Sequence, residues 1–207
     1  MGQRSQIYIR YQKEKQVYNQ KTKRCVMEPD GHGLIALYFG WNYGERMISR
    51  ARYTMEWLEE YAEYPYEIEK KASRIAETNF DMIDVLPTSD IVKEWQEWEY
   101  DSTFRDFVFE NQDNNNGQLY IDVMLDGTIK YAFTHPYAEN EILDAKGYMK
   151  VDDENWETSE YITDEGKEKN RKNMQWIEEN AKLMTDEELE NFKNYDYGFQ
   201  KTVKDDE

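Results

Sequence analysis

The sequence predicts an α+β fold. Residues 1–150 would form a core domain, an antiparallel sheet of about five strands packed with helices, and residues 151–207 an acidic helical C-terminal extension packed on it. Two periodicities and one length predict it. Apolar residues alternate or run together in short stretches near 6–11, 33–39 and 107–133, and recur every third or fourth position in 44–64, 68–75, 91–98 and 174–192. The 207 residues are enough chain to bury roughly 70% of the surface that an unfolded chain exposes.

The first strand is expected at Gln6-Ile7-Tyr8-Ile9-Arg10-Tyr11, where Ile7, Ile9 and Tyr11 share a face. Gly33 to Phe39 is almost wholly apolar, which predicts a central strand covered on both sides, and Pro29-Asp30-Gly31 before it carries turn chemistry. From Gly44 to about Tyr64, Ile48, Ala51, Met55, Leu58 and Ala62 step by three or four between charged residues, an amphipathic helix that Pro65 ends. Pro65 can open a second helix with Ile68, Ala72 and Ile75 as its stripe, and a shorter third follows Ser89 as cap, with Ile91, Trp95 and Trp98 on one side.

Phe107-Val108-Phe109, Gln118 to Leu125 and Thr128 to Phe133 read as an antiparallel meander whose last two strands are joined by the hairpin signal Asp126-Gly127. The polar run from Asn111 to Gly117 reads as its first loop. Past His135-Pro136 the chain turns loose and acidic until a helix striped by Met174, Ile177, Ala181 and Met184. Thr185-Asp186-Glu187-Glu188 is a capping box that starts a last helix through Leu189 and Phe192, and the residues from Lys201 on should fray.

Lys and Arg total 26 against 44 Asp and Glu, a net charge of −18. That balance argues against direct nucleic-acid binding and makes a basic protein the expected charge-driven partner. Charge is also polarised: the first 25 residues carry seven bases and one acid, while residues 151–207 carry 18 acids and eight bases. Mean hydropathy is −1.05, yet 17 Tyr, 6 Trp and 8 Phe set the chain apart from disordered acidic polymers. Met1-Gly2-Gln3-Arg4-Ser5-Gln6 has neither the apolar run of a signal peptide nor the Ser or Thr that myristoylation needs at the sixth position, so no membrane partner is expected.

The sole cysteine, Cys25, excludes an intramolecular disulfide and an all-cysteine zinc site. Lys23 and Arg24 would favour its thiolate and His32 lies seven residues on, so a small hydrolase using Cys25/His32 or paired carboxylates is one alternative function. With 44 acids, however, two neighbouring carboxylates carry little information. His32 and His135 lack metal-ligand spacing, and neither GxxxxGK[ST] nor GxGxxG occurs, so no metal or cofactor is expected. Asn114, Asn116 and Gly117 fit three calcium-loop positions, but Gln112 and Val123 would stand at the first and twelfth, where carboxylates are required.

What stands out is Trp41-Asn42-Tyr43-Gly44 at a strand-to-helix junction and the pair Trp95/Trp98, because Trp and Tyr combine large contact area with one polar atom and recur at binding hot spots. The expected binding residues are Trp41 and Tyr43 with the acidic helix faces carrying Glu56, Glu59 and Glu60, and Asp186, Glu187 and Glu190.

The opening Met1-Gly2-Gln3-Arg4-Ser5-Gln6-Ile7 and the turn Phe39-Gly40-Trp41-Asn42-Tyr43-Gly44 resemble small phage and prophage proteins of Gram-positive bacteria that begin MG-T/Q-RS. The resemblance covers about the first quarter of the chain, brings no catalytic or binding residues with it, and implies a phage-linked protein acting in the bacterial cytoplasm. The expected function is an accessory protein, more a binder than an enzyme, that engages a host protein through an acidic, aromatic-rich surface and inhibits a nucleic-acid-handling or defence protein. A virion or assembly component is the other alternative, marked by a symmetric oligomer.

Overall fold

β1 (Arg4–Asn19) and β2 (Arg24–Gly40) form one long antiparallel hairpin, and its inner half is the centre of the molecule. The computed structural model describes residues 3–61, 85–86, 88–98, 100–110, 115–124 and 126–201. After β2 come α1 (Gly44–Tyr61), the two-residue strand β3 (Val85–Leu86), α2 (Thr88–Glu97) and a π-helical turn (Asp106–Glu110). The chain continues through β4 (Gln118–Val123), β5 (Ile129–Thr134), α3 (Ala145–Asp152), α4 (Asp164–Asn180), β6 (Lys182–Leu183) and α5 (Asp186–Asn194).

The strand order is β3-β2-β1-β4-β5-β6. β1 runs antiparallel to β2 but parallel to β4, and β5 runs parallel to β6. The sheet is therefore mixed, which corrects the antiparallel expectation. A short turn forces its two strands to be antiparallel, as Asp126-Gly127 does for β4 and β5, whereas the long connection from β2 to β4 can deliver β4 in either direction. Gly127 supplies the left-handed φ of +81° that this turn needs, and the Thr128 amide donates to the Asp126 carboxylate.

Both faces of the inner sheet are covered, as the continuous apolar run 33–39 implies. Ile7, Ile9, Ile35, Leu37, Leu119 and Ile121 face a layer built from α1, α3 and α4, where Ile48, Met55, Tyr148 and Ile177 are buried. Tyr8, Leu34, Ala36 and Tyr120 face the other layer, built from α2, the π turn and α5, with Ile91, Trp95, Phe109 and Phe192. Each large apolar side chain so buried contributes about 1.5–3 kcal/mol. α4 packs on α1, β6 extends the sheet beside β5, and α5 closes the opposite face, so residues 164–194 enter both layers.

Several local expectations need correction. Phe107, Val108 and Phe109 form a π turn, not a strand: all three are buried in one cluster, whereas a strand would send Val108 to the other side. Pro29-Asp30-Gly31 is no turn but lies within β2, where the register slips between Gln12 and Glu14 and Gly31 takes φ +78° as the extra residue of a bulge. α2 starts at Thr88, not after a Ser89 cap, and the Thr88 hydroxyl bonds both the amide and the carbonyl of Ala36 on β2. The stretch after Pro136 holds a helix, α3, capped by Asp144. Met184 falls outside the helix it was assigned to, since Ala181 ends α4 and β6 intervenes. The capping box forms as read: the Thr185 amide donates to Glu188 at 3.0 Å, and the Glu188 amide to the Thr185 hydroxyl at 3.3 Å. The helix assigned to the residues after Pro65 lies outside the described residues. Among the described residues no helix is long and apolar enough to cross a membrane.

Candidate docking groove

The expected binding residues do not form one surface. Glu56 and Glu59 lie on α1, on one side of the sheet, and Asp186, Glu187 and Glu190 on α5, on the other. Some of that charge is already used. Glu56 meets Arg52 at 3.0 Å and Glu190 meets Arg105 at 3.0 Å, while Asp186 and Glu187 occupy the first turn of α5, where carboxylates complement the helix dipole. The Glu60 side chain lies outside the described residues. Trp41 is exposed in a left-handed turn, its amide held by the Gln3 carbonyl, and the half-buried Tyr43 ring lies 5.5 Å below the Arg46 guanidinium. Between them Asn42 is buried, bonded to Ser5 and Arg50, so this junction serves to lock α1 onto the start of β1.

Cys25 and His32, which the hydrolase alternative pairs, are held apart. Cys25 is exposed on the outer hairpin opposite Tyr18, and His32 stands seven positions further along the same extended strand, roughly 23 Å away at about 3.3 Å per residue. His135 is fully buried, with both ring nitrogens engaged: Nδ1 accepts from the Tyr137 amide, which leaves Nε2 to donate to Asp152 at 3.2 Å. No nitrogen is left to move a substrate proton. Asp152 also accepts from Asn116 at 2.8 Å, so this cluster ties β5, α3 and the start of β4 together. Among the described residues no three His, Cys, Asp or Glu side chains converge as a metal site would require.

A different constellation does converge. At the C-terminal end of α2, Glu94 and Glu97 are spaced by three residues and so share one side of the helix, and Trp98 follows directly after it. Tyr100 and Phe107 complete a groove of about 480 Å³. The Trp98 ring centroid lies 5.4 Å from that of Phe107 and 5.7 Å from that of Tyr100. The neighbouring Trp95 is buried and fixes the wall, its indole donating to the Ser102 carbonyl, while the Lys201 ammonium donates to the Tyr100 carbonyl. Yet Trp98 stays 47% and Tyr100 70% exposed. Glu94 has no cation partner among the described residues, and Glu97 has only a solvent-exposed Lys93 at 3.9 Å. A second recess, lined by Arg105, Lys193, Tyr195 and Tyr197, differs in this respect. There Arg105 pairs with Glu110 and Glu190, and Lys193 with Glu110, so its charges are spent internally.

The sequence reading missed Glu94, Glu97, Tyr100 and Phe107 as site residues; it set Trp98 with Ile91 and Trp95 on one side of a helix and singled out the Trp95/Trp98 pair as suited to binding. The signal was present as Glu94-Trp95-Gln96-Glu97-Trp98-Glu99-Tyr100-Asp101, eight residues with four acids, three aromatics and no base. The helix ends at Glu97, and the Trp98 ring reaches the surface while Ile91 and Trp95 stay buried.

One titration bears on the scaffold under this face. Burial, and then the Arg10 guanidinium, push the His32 imidazole below its usual value near 6.5, with Asp122 pulling weakly the other way, and its Nδ1 is buried without a partner. The unfolded chain therefore takes up this proton first. The stabilising contribution of neutral His32 is complete above pH 6.5 and falls away as the pH drops through the lower folded value. Urea midpoints at pH 7.5 and 5.5 check this: wild type should lose more stability over the interval than His32→Gln, and an equal loss would contradict it.

Comparison with protein-family models, with curated proteins and with solved structures finds no match to the chain.

Proposed function

We propose that this chain is a docking protein that takes a Lys or Arg side chain of a basic protein partner into the groove of Glu94, Glu97, Trp98, Tyr100 and Phe107. The observation that carries this reading is the convergence there of exposed aromatic faces with Glu94, which has no cation partner among the described residues, and Glu97, which has there a loose, solvent-exposed contact with Lys93. A cation over an aromatic face gains about 0.5–2 kcal/mol, and each exposed carboxylate adds about 0.2–1 kcal/mol. Their sum does not reach the roughly 4 kcal/mol of a millimolar complex with much to spare. A lone amine would scarcely be held. The partner is therefore a basic protein segment that adds contacts outside the groove, not a small cationic metabolite. The net charge of −18 steers such a partner inward. The resemblance of the opening residues to phage and prophage proteins sets this reading in a bacterial cytoplasm. The target would be a host protein whose basic surface ordinarily meets nucleic acid, and carboxylates seated on that surface would inhibit it.

Calorimetric titration of the full chain with a Lys/Arg-rich peptide tests the reading. Trp98→Ala, and Glu94→Gln with Glu97→Gln, should each weaken binding about tenfold, and added salt should weaken it further. Glu59→Gln, on the far side of the sheet, should leave it unchanged. Groove variants that bind as tightly as wild type would overturn the proposal.

A further inference from the structure

Beyond Gln12 and His32 the hairpin of β1 and β2 leaves the body of the protein. Among the described residues β4 pairs with β1 only along Gln6–Tyr11 and β3 with β2 only at Tyr38 and Phe39, so from Glu14 opposite Pro29 to Asn19 opposite Arg24 neither edge of the ribbon has a strand partner there. At about 3.4 Å per residue this arm extends roughly 17 Å. A lone two-stranded ribbon is marginal in water. This one nevertheless displays apolar surface, with Tyr18 58% and Met27 53% exposed on one face and Val26 on the other. Its charge is opposite to that of the body. Residues 12–32 hold five bases and three acids, a net of +2, which leaves −20 for the rest of the chain's −18. The tip itself carries Lys21, Lys23 and Arg24 with no acid between Asn19 and Met27, and none of the three forms an ion pair among the described residues.

We infer that the arm packs on the acidic body of a second copy of this chain, each copy lending its arm to the other across a two-fold axis. Charge complementarity selects this occupant. Two arms laid tip to tip would set +3 against +3, whereas each tip meets carboxylates on the partner body. Tyr18 and Met27, on one face of the ribbon, then lose their exposure to water, and the ribbon gains the packing it lacks alone. This inference stands apart from the groove.

Sedimentation equilibrium of the full chain tests it. At low ionic strength the mass should be twice the 25.1 kDa of one chain. It should fall to that of one chain at about 1 M salt, where screening acts within about 3 Å. Reversing the exposed tip (Lys21→Glu, Lys23→Glu and Arg24→Glu together) should weaken the dimer at least tenfold, and so should Tyr18→Ser with Met27→Ser. Trp98→Ala should not. A spin label on the single Cys25, exposed on the arm, should be immobilised as the dimer forms. Three results would overturn the inference: one-chain mass at all concentrations in low salt, a dimer indifferent to both arm variants, or a one-chain mass with tip-dependent retention of a DNA duplex.

Discussion

Asp122→Ala should destabilise the fold by about 3–5 kcal/mol, because it strands a buried guanidinium. Arg10 and Asp122 stand side by side in the parallel register of β1 and β4 and pair through two hydrogen bonds, Nε to Oδ1 at 2.9 Å and Nη2 to Oδ2 at 2.5 Å. Their side chains are 11% and 7% exposed. Burial works against the Arg10 charge, and the hydrogen bonds and attraction of Asp122 more than offset it, so the guanidinium holds its proton more tightly than usual. With Asp122 removed, the weaker contacts with the Tyr197 hydroxyl and the Phe192 ring are left against the burial. The pair as a whole is a different matter: Arg10→Met with Asp122→Leu removes both charges at similar volume and should recover most of the loss. Urea unfolding of the three proteins decides it, and a loss below about 1 kcal/mol for Asp122→Ala would mean that water reaches Arg10 freely.

Phe192→Ala should cost a similar amount, about 3–5 kcal/mol, as a cavity beneath the same pair. Phe192 is fully buried, packs edge-on to Tyr120 at 5.4 Å and to Phe109 at 6.1 Å, and lies 4.9 Å from the Arg10 guanidinium. It ties α5 to Arg10 on β1 and Tyr120 on β4. Because Phe192 and Arg10 touch, their effects should not add. A double-mutant cycle over Phe192→Ala and Arg10→Met should return a coupling of about 0.5–2 kcal/mol, and strict additivity would contradict the contact.

How far the sequence could be read follows from which signals are local. The Asp126-Gly127 hairpin, the Thr185 capping box, the doubly covered run 33–39 and the amphipathic stripe of α1 depend on residues close together in the chain, and each was legible there. Direction was not. Nothing between Trp41 and Gly117 states whether β4 must run with or against β1, since the answer lies in how intervening helices pack. Phe107-Val108-Phe109 was misread because three adjacent apolar residues suit a strand and a π turn equally, and only the common burial of all three separates them. The outer hairpin was hidden by composition: Lys13 to Lys23 looks like a loop, and the pairing that extends it to Asn19 and Arg24 comes from two strands already aligned by their inner halves.

The candidate site was half legible. Acidic and aromatic surplus pointed to a binding surface for cations, but the helices chosen from it fall on opposite sides of the sheet, and part of their charge is neutralised by Arg52 and Arg105. Charge alone does not locate a site in a chain with 44 acids. What distinguishes residues 94–107 is three-dimensional: α2 stops at Glu97, the next residues fold back over Phe107, and two carboxylates are left facing exposed rings.

Heteronuclear NMR of the full chain during titration with a Lys/Arg-rich peptide tests the central claim most directly. The account predicts that the Trp98 indole N–H and the amides of Glu94, Glu97, Tyr100 and Phe107 shift first and furthest, while those of α1 stay in place. Shifts spread evenly over the acidic helices, with the Trp98 indole unmoved, would contradict it.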